Sequence, residues 1–127
     1  MGARRHDVTR LATLVFFSVI ACFAAEAREE ARSKNPYYGA IAYHQATASV
    51  GWATDRRTSR EARLEALRQC QNPKCEIVAT VTRGCLALAK ETKKFAVQRG
   101  TTRQEAETKA LRRCGERCEI AAWTCTR

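Results

Sequence analysis

The chain has 127 residues, of which 45% are hydrophobic and 28% are charged, and its formal net charge at pH 7 is +10. This length is that of a single domain with a modest hydrophobic core. The excess of Lys and Arg favours polyanionic partners.

The first 27 residues have the pattern of a secretory signal peptide. Three arginines lie within the first ten residues, residues 11–25 carry no charge, and Ala25 and Ala27 form an A-x-A cleavage site. The uncharged stretch is shorter than the roughly 20 residues that a membrane-spanning helix needs. We therefore predict cleavage after Ala27 and export to the periplasm or the extracellular space, with residues 28–36 as a flexible leader. The mature chain then contains no transmembrane segment.

Two other export signals compete with this prediction. Residues 19–22 resemble a bacterial lipobox, in which Cys22 would be lipidated, whereas Ala27 lies where a signal peptidase is expected to cut. Arg4 and Arg5 resemble a twin-arginine signal, but the residues that follow them lack its apolar continuation. A lipoprotein anchored through Cys22 and a retained membrane anchor therefore remain as alternatives.

The cysteine count supports export. Removal of residues 1–27 takes away one of the seven cysteines, and the predicted mature chain keeps a net charge of about +9. An even number of cysteines in a short exported chain predicts a disulfide framework. The six are Cys70, Cys75, Cys85, Cys114, Cys118 and Cys125.

The chain contains an internal repeat. Residues 58–70 align with residues 102–114 at a shift of 44, and residues 75–79 align with residues 118–122 at a shift of 43. The identical positions include the cysteine that closes each longer segment. Two copies of one structural unit are therefore predicted.

Each copy contains a predicted helix of about three turns. Thr58 with Glu61, and Thr102 with Glu105, form capping-box patterns at the helix starts. Alanines and a leucine then recur on one face, which predicts close packing against a sheet. Gly115 directly follows the second helix, where a positive φ is common.

Short β-branched and apolar segments predict three strands in each copy. The order β-β-α-β, repeated once, predicts an α+β fold: a mostly antiparallel six-stranded sheet with two helices on one face, stapled by disulfides. One domain would span residues 37–127, with repeats at about 37–82 and 85–125. The predicted strands are residues 37–43, 48–54, 75–82, 85–90, 94–98 and 118–124.

These segments resemble bacterial domain of unknown function 4189, a family of small exported cysteine-containing domains. The resemblance covers roughly Tyr37 to Cys125 and departs from the family pattern at residues 90–94, which are charged here and usually glycine-rich in the family. The family implies no particular activity. The segments that carry the resemblance are residues 38–43, Gly51-Trp52, the helix ending in Ala-Leu-x-x-Cys, residues 84–89, and residues 118–125.

Six cysteines allow 15 pairings, which the repeat narrows. In each copy one cysteine ends the helix and the next opens the following strand, so we favour one bridge across each connection. The alternatives are a bridge between the two helix ends, Cys70–Cys114, and a zinc site, which an oxidising compartment disfavours. Two cysteines are then left to pair with each other. The favoured pairs are therefore Cys70–Cys75, Cys114–Cys118 and Cys85–Cys125.

The sequence offers little for catalysis. His44 and Asp55 are the only histidine and aspartate after the predicted cleavage site, and neither lies in a motif for catalysis, phosphate binding or metal binding. We therefore predict no enzyme activity, no cofactor and no metal. Trp52 and Trp123 are expected to pack in the core.

Ten basic residues on or beside the two helices lie off the alanine stripes. They are either a solvated surface or a binding face for an anionic envelope component or an acidic protein. Nucleic acid is disfavoured because no recognition motif is present. We predict a binding module of the bacterial cell envelope, with an envelope enzyme inhibitor or immunity-type protein as the alternative. The ten are Arg56, Arg57, Arg60, Arg63, Arg68, Arg103, Lys109, Arg112, Arg113 and Arg117.

Overall fold

A computed structural model describes residues 36–127, which belong to one compact unit, Asn35–Arg127. The predicted cleavage site at Ala27, Cys22 and nearly all of the predicted leader lie outside the described residues. The elements in chain order are β1 (Tyr38–His44), β2 (Ser49–Arg56), α1 (Ser59–Cys70), β3 (Glu76–Thr82), β4 (Cys85–Lys90), β5 (Phe95–Gly100), α2 (Arg103–Cys114) and β6 (Glu119–Cys125).

The predicted β-β-α-β duplication is confirmed, and strand boundaries differ from the predicted ones by at most two residues. The longer β2 has a local cause. Asp55 adopts a φ of 50°, and the register against β1 shifts between Tyr38 and Ala40. This bulge carries the strand past its predicted end, as far as Arg56.

The helix caps follow the sequence signals. The Thr58 and Thr102 side chains accept hydrogen bonds from the backbone N–H of Glu61 and Glu105, each at 3.1 Å. At the other end of α2, Gly115 has the predicted positive φ, 119°. At the corresponding end of α1, the residue after the helix is Gln71, which adopts the left-handed conformation with a φ of 56°.

The strands form two three-stranded antiparallel sheets, ordered β2-β1-β3 and β5-β4-β6, rather than one six-stranded sheet. In each copy the helix carries the chain from one side of the central strand to the other. That crossover gives both edges of β1 and of β4 a hydrogen-bonding partner from the same copy. Each copy therefore completes its own sheet.

The two sheets pack face to face, and each covers its outer face with its own helix. Ile41 and Tyr43 of β1 meet Leu86 and Leu88 of β4 between the sheets. The alternate, outward residues of both strands are alanines buried under the helices. Both faces of the central strands are thus apolar, and helices on only one side of a single sheet would have left the other face in water. The order of layers is α1, sheet, sheet, α2, so the helices lie on opposite faces.

The alanines bring each helix close to its sheet. Ala62 and Ala66 of α1 are fully buried against the first sheet. A Cβ at Gly51 of β2 would collide with the backbone oxygen of Ala66 and the backbone nitrogen of Cys70. Only glycine leaves room for this approach.

Side chains of the edge strands fasten the two sheets together. The Thr124 hydroxyl on β6 donates to the carbonyl oxygen of Ala53 on β2 at 3.0 Å, and it lies 2.6 Å from the Thr54 hydroxyl. Since the Thr124 proton is already used, Thr54 donates to Thr124. On the other side of the sandwich, Arg99 Nε of β5 donates to the Thr80 carbonyl of β3 at 2.9 Å.

Three disulfides join the pairs that the repeat favoured. One bridge closes the helix-to-strand connection of each copy, across sequence separations of 5 and 4 residues. The third spans 40 residues and links opposite positions of β4 and β6. The pairs are Cys70–Cys75, Cys114–Cys118 and Cys85–Cys125.

Candidate anion-binding faces

All ten candidate basic residues are exposed. Because each helix buries its alanines against a sheet, the charged side chains surround its solvent side. They form two groups, one on each outer face of the sandwich. The first basic face comprises Arg56, Arg57, Arg60, Arg63 and Arg68, and the second comprises Arg103, Lys109, Arg112, Arg113 and Arg117.

Part of the first basic face is neutralised by one carboxylate. Glu65 lies 3.6 Å from Arg56 and 3.3 Å from Arg68. Its pKa is lowered, chiefly by a hydrogen bond from the Gln69 side chain and then by the two arginines. Glu65 therefore stays ionised below the usual range and offsets the charge of both partners.

The second basic face has two pairs of its own. Arg103 binds Glu107 and Lys109 binds Glu105, each at 2.7 Å. Hydrogen bonds from Lys109 and then from Thr101 lower the pKa of Glu105 to about 2. Four of the ten cations on the two faces therefore already have a carboxylate partner.

Six arginines keep their charge available for a partner. Among residues 36–127, none of their guanidinium groups has a carboxylate oxygen within 4.0 Å, although the backbone N–H of Arg57 donates to the Glu61 carboxylate at 3.2 Å. Counting every charged side chain, residues 56–70 carry five arginines and two glutamates, a net of +3, and residues 103–117 carry five cations and three glutamates, a net of +2. The six are Arg57, Arg60, Arg63, Arg112, Arg113 and Arg117.

The first basic face also displays an apolar side chain. Leu64 on α1 is 51% exposed and lies one helical turn from both Arg60 and Arg68. The equivalent position of α2 is Thr108. The two faces thus share their basic character, and this leucine of the first face has no apolar counterpart at the equivalent helix position of the second.

The expectation that both tryptophans pack in the core is wrong. Trp52 is 49% exposed and Trp123 is 39% exposed. Both belong to edge strands, β2 and β6, beyond which no further strand covers them. They border a groove of about 330 Å³, and the Arg103 guanidinium lies 3.9 Å from the centroid of the Trp123 ring. Strand type was evident from the sequence, but edge position depends on strand order.

Other polar residues are dispersed. His44 lies partly exposed at the end of β1, and the Asp55 carboxylate binds the backbone and side chain of Arg127 at 3.1 and 3.3 Å. The zinc site considered above would use the two cysteines of each helix-to-strand connection, and all four are in disulfides: Cys70, Cys75, Cys114 and Cys118. Residues 36–127 contain no group of three His, Cys, Asp or Glu side chains arranged for a metal ion.

A cleft of about 900 Å³ lies where the β1–β2 and β4–β5 turns approach each other. Its lining mixes charges of both signs, including Lys90, Lys93, Arg117 and Glu119. It is open and polar, and Arg117 connects it with the second basic face. Neither helix of the described domain is long and apolar enough to cross a membrane.

Comparison with known proteins identifies relatives of this domain. The chain is 39% identical over 89 residues to the uncharacterized proteins Rv1813c of Mycobacterium tuberculosis and Mb1843c of Mycobacterium bovis, an alignment that covers 70% of this chain and 60% of each relative. The chain thus spans less than two thirds of the length of these relatives.

The fold has an experimental counterpart. The NMR structure of Rv1813c from Mycobacterium tuberculosis superposes with a TM-score of 0.59 at 36% sequence identity, over 70% of this chain and 74% of that chain. The profile of "Domain of unknown function (DUF4189)" matches residues 38–125. The predicted resemblance is confirmed over both copies of the repeat, and the chain belongs to the DUF4189 family.

Proposed function

We propose that this protein is a non-enzymatic binding module of the bacterial cell envelope that binds anionic lipid surfaces through its basic helical faces. The observation that carries the proposal is the set of six exposed arginines without a carboxylate partner in the described domain. Phosphate-bearing lipid headgroups attract such side chains, with a contribution of about 1 kcal/mol for each Lys or Arg near the surface.

Leu64 favours a lipid surface over a soluble polyanion or an acidic protein. A half-exposed leucine between arginines can enter the headgroup region while the guanidinium groups stay at the phosphates. A dissolved polyanion would gain nothing from this side chain. The first basic face, with Leu64 and a net charge of +3, is therefore the stronger of the two.

The compartment is consistent with this role. Three disulfides indicate an oxidising compartment, as is usual for exported proteins. We further propose that the N-terminal segment is a signal peptide cleaved after Ala27. The intact mass of the purified protein should then correspond to a chain that starts at Arg28, and a diacylglyceryl adduct on Cys22 would contradict it.

The absence of a catalytic role is also part of the proposal. His44 has no carboxylate partner among residues 36–127, and the carboxylate of Asp55 is occupied by Arg127. General acid–base catalysis needs a titrating group in hydrogen-bond reach of a reacting atom, usually oriented by a second group. These two residues provide no such pair.

Vesicle co-sedimentation tests the proposal. Disulfide-intact protein should bind vesicles containing phosphatidylglycerol and not vesicles of phosphatidylcholine alone. Binding should fade between 0.1 M and 1 M salt, because the Debye length falls from about 10 Å to about 3 Å. Replacing Arg60, Arg63, Arg112 and Arg113 with Ser removes about 2 kcal/mol per face, which weakens binding roughly 30-fold.

Leu64→Gln distinguishes lipid from other anions. This variant should bind the anionic vesicles more weakly and bind a dissolved polyanion, such as heparin, as the unmodified protein does. Equal vesicle binding by Leu64→Gln would remove the argument for a lipid surface. Failure of the unmodified protein to bind anionic vesicles at low salt would refute the proposed function and leave the inhibitor or immunity-type alternative.

A further inference from the structure

The two basic faces point in opposite directions. Helix α1 packs on the first sheet, α2 packs on the second, and the sheets pack against each other through their inner faces. With layers spaced by about 10 Å, the helix axes are on the order of 30 Å apart. Seven of the ten cations belong to the helices themselves and are exposed on their solvent sides, so the two charged surfaces are farther apart than the axes.

This separation makes the faces electrostatically independent. It exceeds the Debye length of about 10 Å at 0.1 M salt by roughly threefold. A flat surface that touches one face lies on the far side of the domain from the other. Both faces therefore cannot engage one membrane, and their affinities cannot add on it.

Each face has its own set of free cations. Three arginines without a carboxylate partner in the described domain belong to each copy of the repeat. The duplication therefore produced two separate basic faces rather than one enlarged face. The triplets are Arg57, Arg60 and Arg63 in the first copy and Arg112, Arg113 and Arg117 in the second.

We propose that the domain bridges two anionic lipid surfaces, one on each basic face. This inference rests on the proposed function, since it requires that each face bind anionic lipid. It goes beyond it by assigning a valency of two and an opposed geometry to a single domain. The gap between bridged membranes would then equal the thickness of the four-layer sandwich.

Vesicle clustering, followed by light scattering, tests this bridging separately from binding. Three variants each remove two positive charges: Arg60→Ser with Arg63→Ser on the first face, Arg112→Ser with Arg113→Ser on the second, and a control on neither helix. The control is Lys74→Ser with Lys93→Ser, two exposed loop residues. All variants share the same N-terminal residues, so differences between them come from the substituted positions.

The expected affinities differ between the variants. With about a fivefold factor per net charge near an anionic surface, a net +3 face binds more tightly than a net +2 face. The first-face variant should then bind vesicles about fivefold more weakly than the unmodified protein, and the second-face variant almost equally well. Clustering is compared at lipid concentrations that give equal amounts of bound protein.

The unmodified protein and the control should cluster phosphatidylglycerol vesicles at low salt, and both single-face variants should bind without clustering. Binding without clustering by the unmodified protein would overturn the bridging and leave the proposed function intact. Clustering lost in only one single-face variant would also overturn it, because this indicates self-association of a domain with one active face. No binding at all would refute the proposed function itself.

Discussion

Loss of the Cys85–Cys125 disulfide should destabilise the domain more than loss of either short bridge. This bridge closes a loop with a sequence separation of 40 residues, against 5 for Cys70–Cys75. In the chain-entropy model, the stabilisation grows with the logarithm of loop length. It amounts to about 4 kcal/mol for the long loop and about 2 kcal/mol for the short one.

The double variant Cys70→Ala, Cys75→Ala is the matched control. Both of its cysteines are buried in a hydrophobic cluster, as Cys85 is, so each double variant removes sulfur atoms from packed surroundings. The remaining difference between the two variants is loop length. It corresponds to about 2 kcal/mol, or roughly 8–16 °C in melting temperature for a domain of this size.

Urea titrations followed by far-UV circular dichroism measure this difference. The Cys85→Ala, Cys125→Ala variant should have the lower midpoint, and both variants should show larger m values because their unfolded chains are less restricted. Equal destabilisation of the two variants, or the reverse order, would refute the argument from loop length. The long bridge would then act through local packing between β4 and β6.

Two further predictions concern the helix packing and the acid titration of α2. Gly51→Ala should lower the free energy of unfolding by about 1–3 kcal/mol or more, since the added Cβ meets backbone atoms of α1 that cannot rotate away; an unchanged urea midpoint would contradict the close approach. The pKa of Glu105, lowered from 4.5 to about 2, means that its ionised form stabilises the fold above about pH 4.5, and this contribution is lost as the pH falls towards 2. Lys109→Met should raise this pKa, measured by NMR titration of the carboxyl group, and a value still near 2 would show that Lys109 is not the main cause.

The features that depend on nearby residues could be predicted from the sequence. The capping threonines, the alanine stripes and the positive φ of Gly115 are local, because each involves residues within about one helical turn or an adjacent position. The repeat also allowed one long-range feature, the disulfide pairing, to be predicted. Applying one rule to both copies selected the three disulfide pairs from 15 possibilities, and the resemblance to the family rested on the same segments.

The assembly of the layers was decided only by the tertiary structure. Consecutive positions of β1 and β4 are apolar, which indicates that each strand has two apolar faces. A strand pattern does not say which element covers each face. The choice between one sheet and two therefore depended on contacts between the copies, far apart in sequence. The exposure of Trp52 and Trp123 follows from the same cause, since edge position is a property of strand order.

For the candidate site too, some features were predictable from the sequence and others were decided only by the tertiary structure. That the ten basic residues avoid the buried stripes was predictable from helical periodicity. The pairing of individual cations was not predictable in this way. Arg56 of β2, for example, pairs with Glu65 of α1, and this contact depends on how the two elements pack. The sequence by itself determined two basic helices. Only the tertiary structure decided that they point away from each other. The inner faces of the two sheets bury each other, so each helix can cover only the outer face of its own sheet.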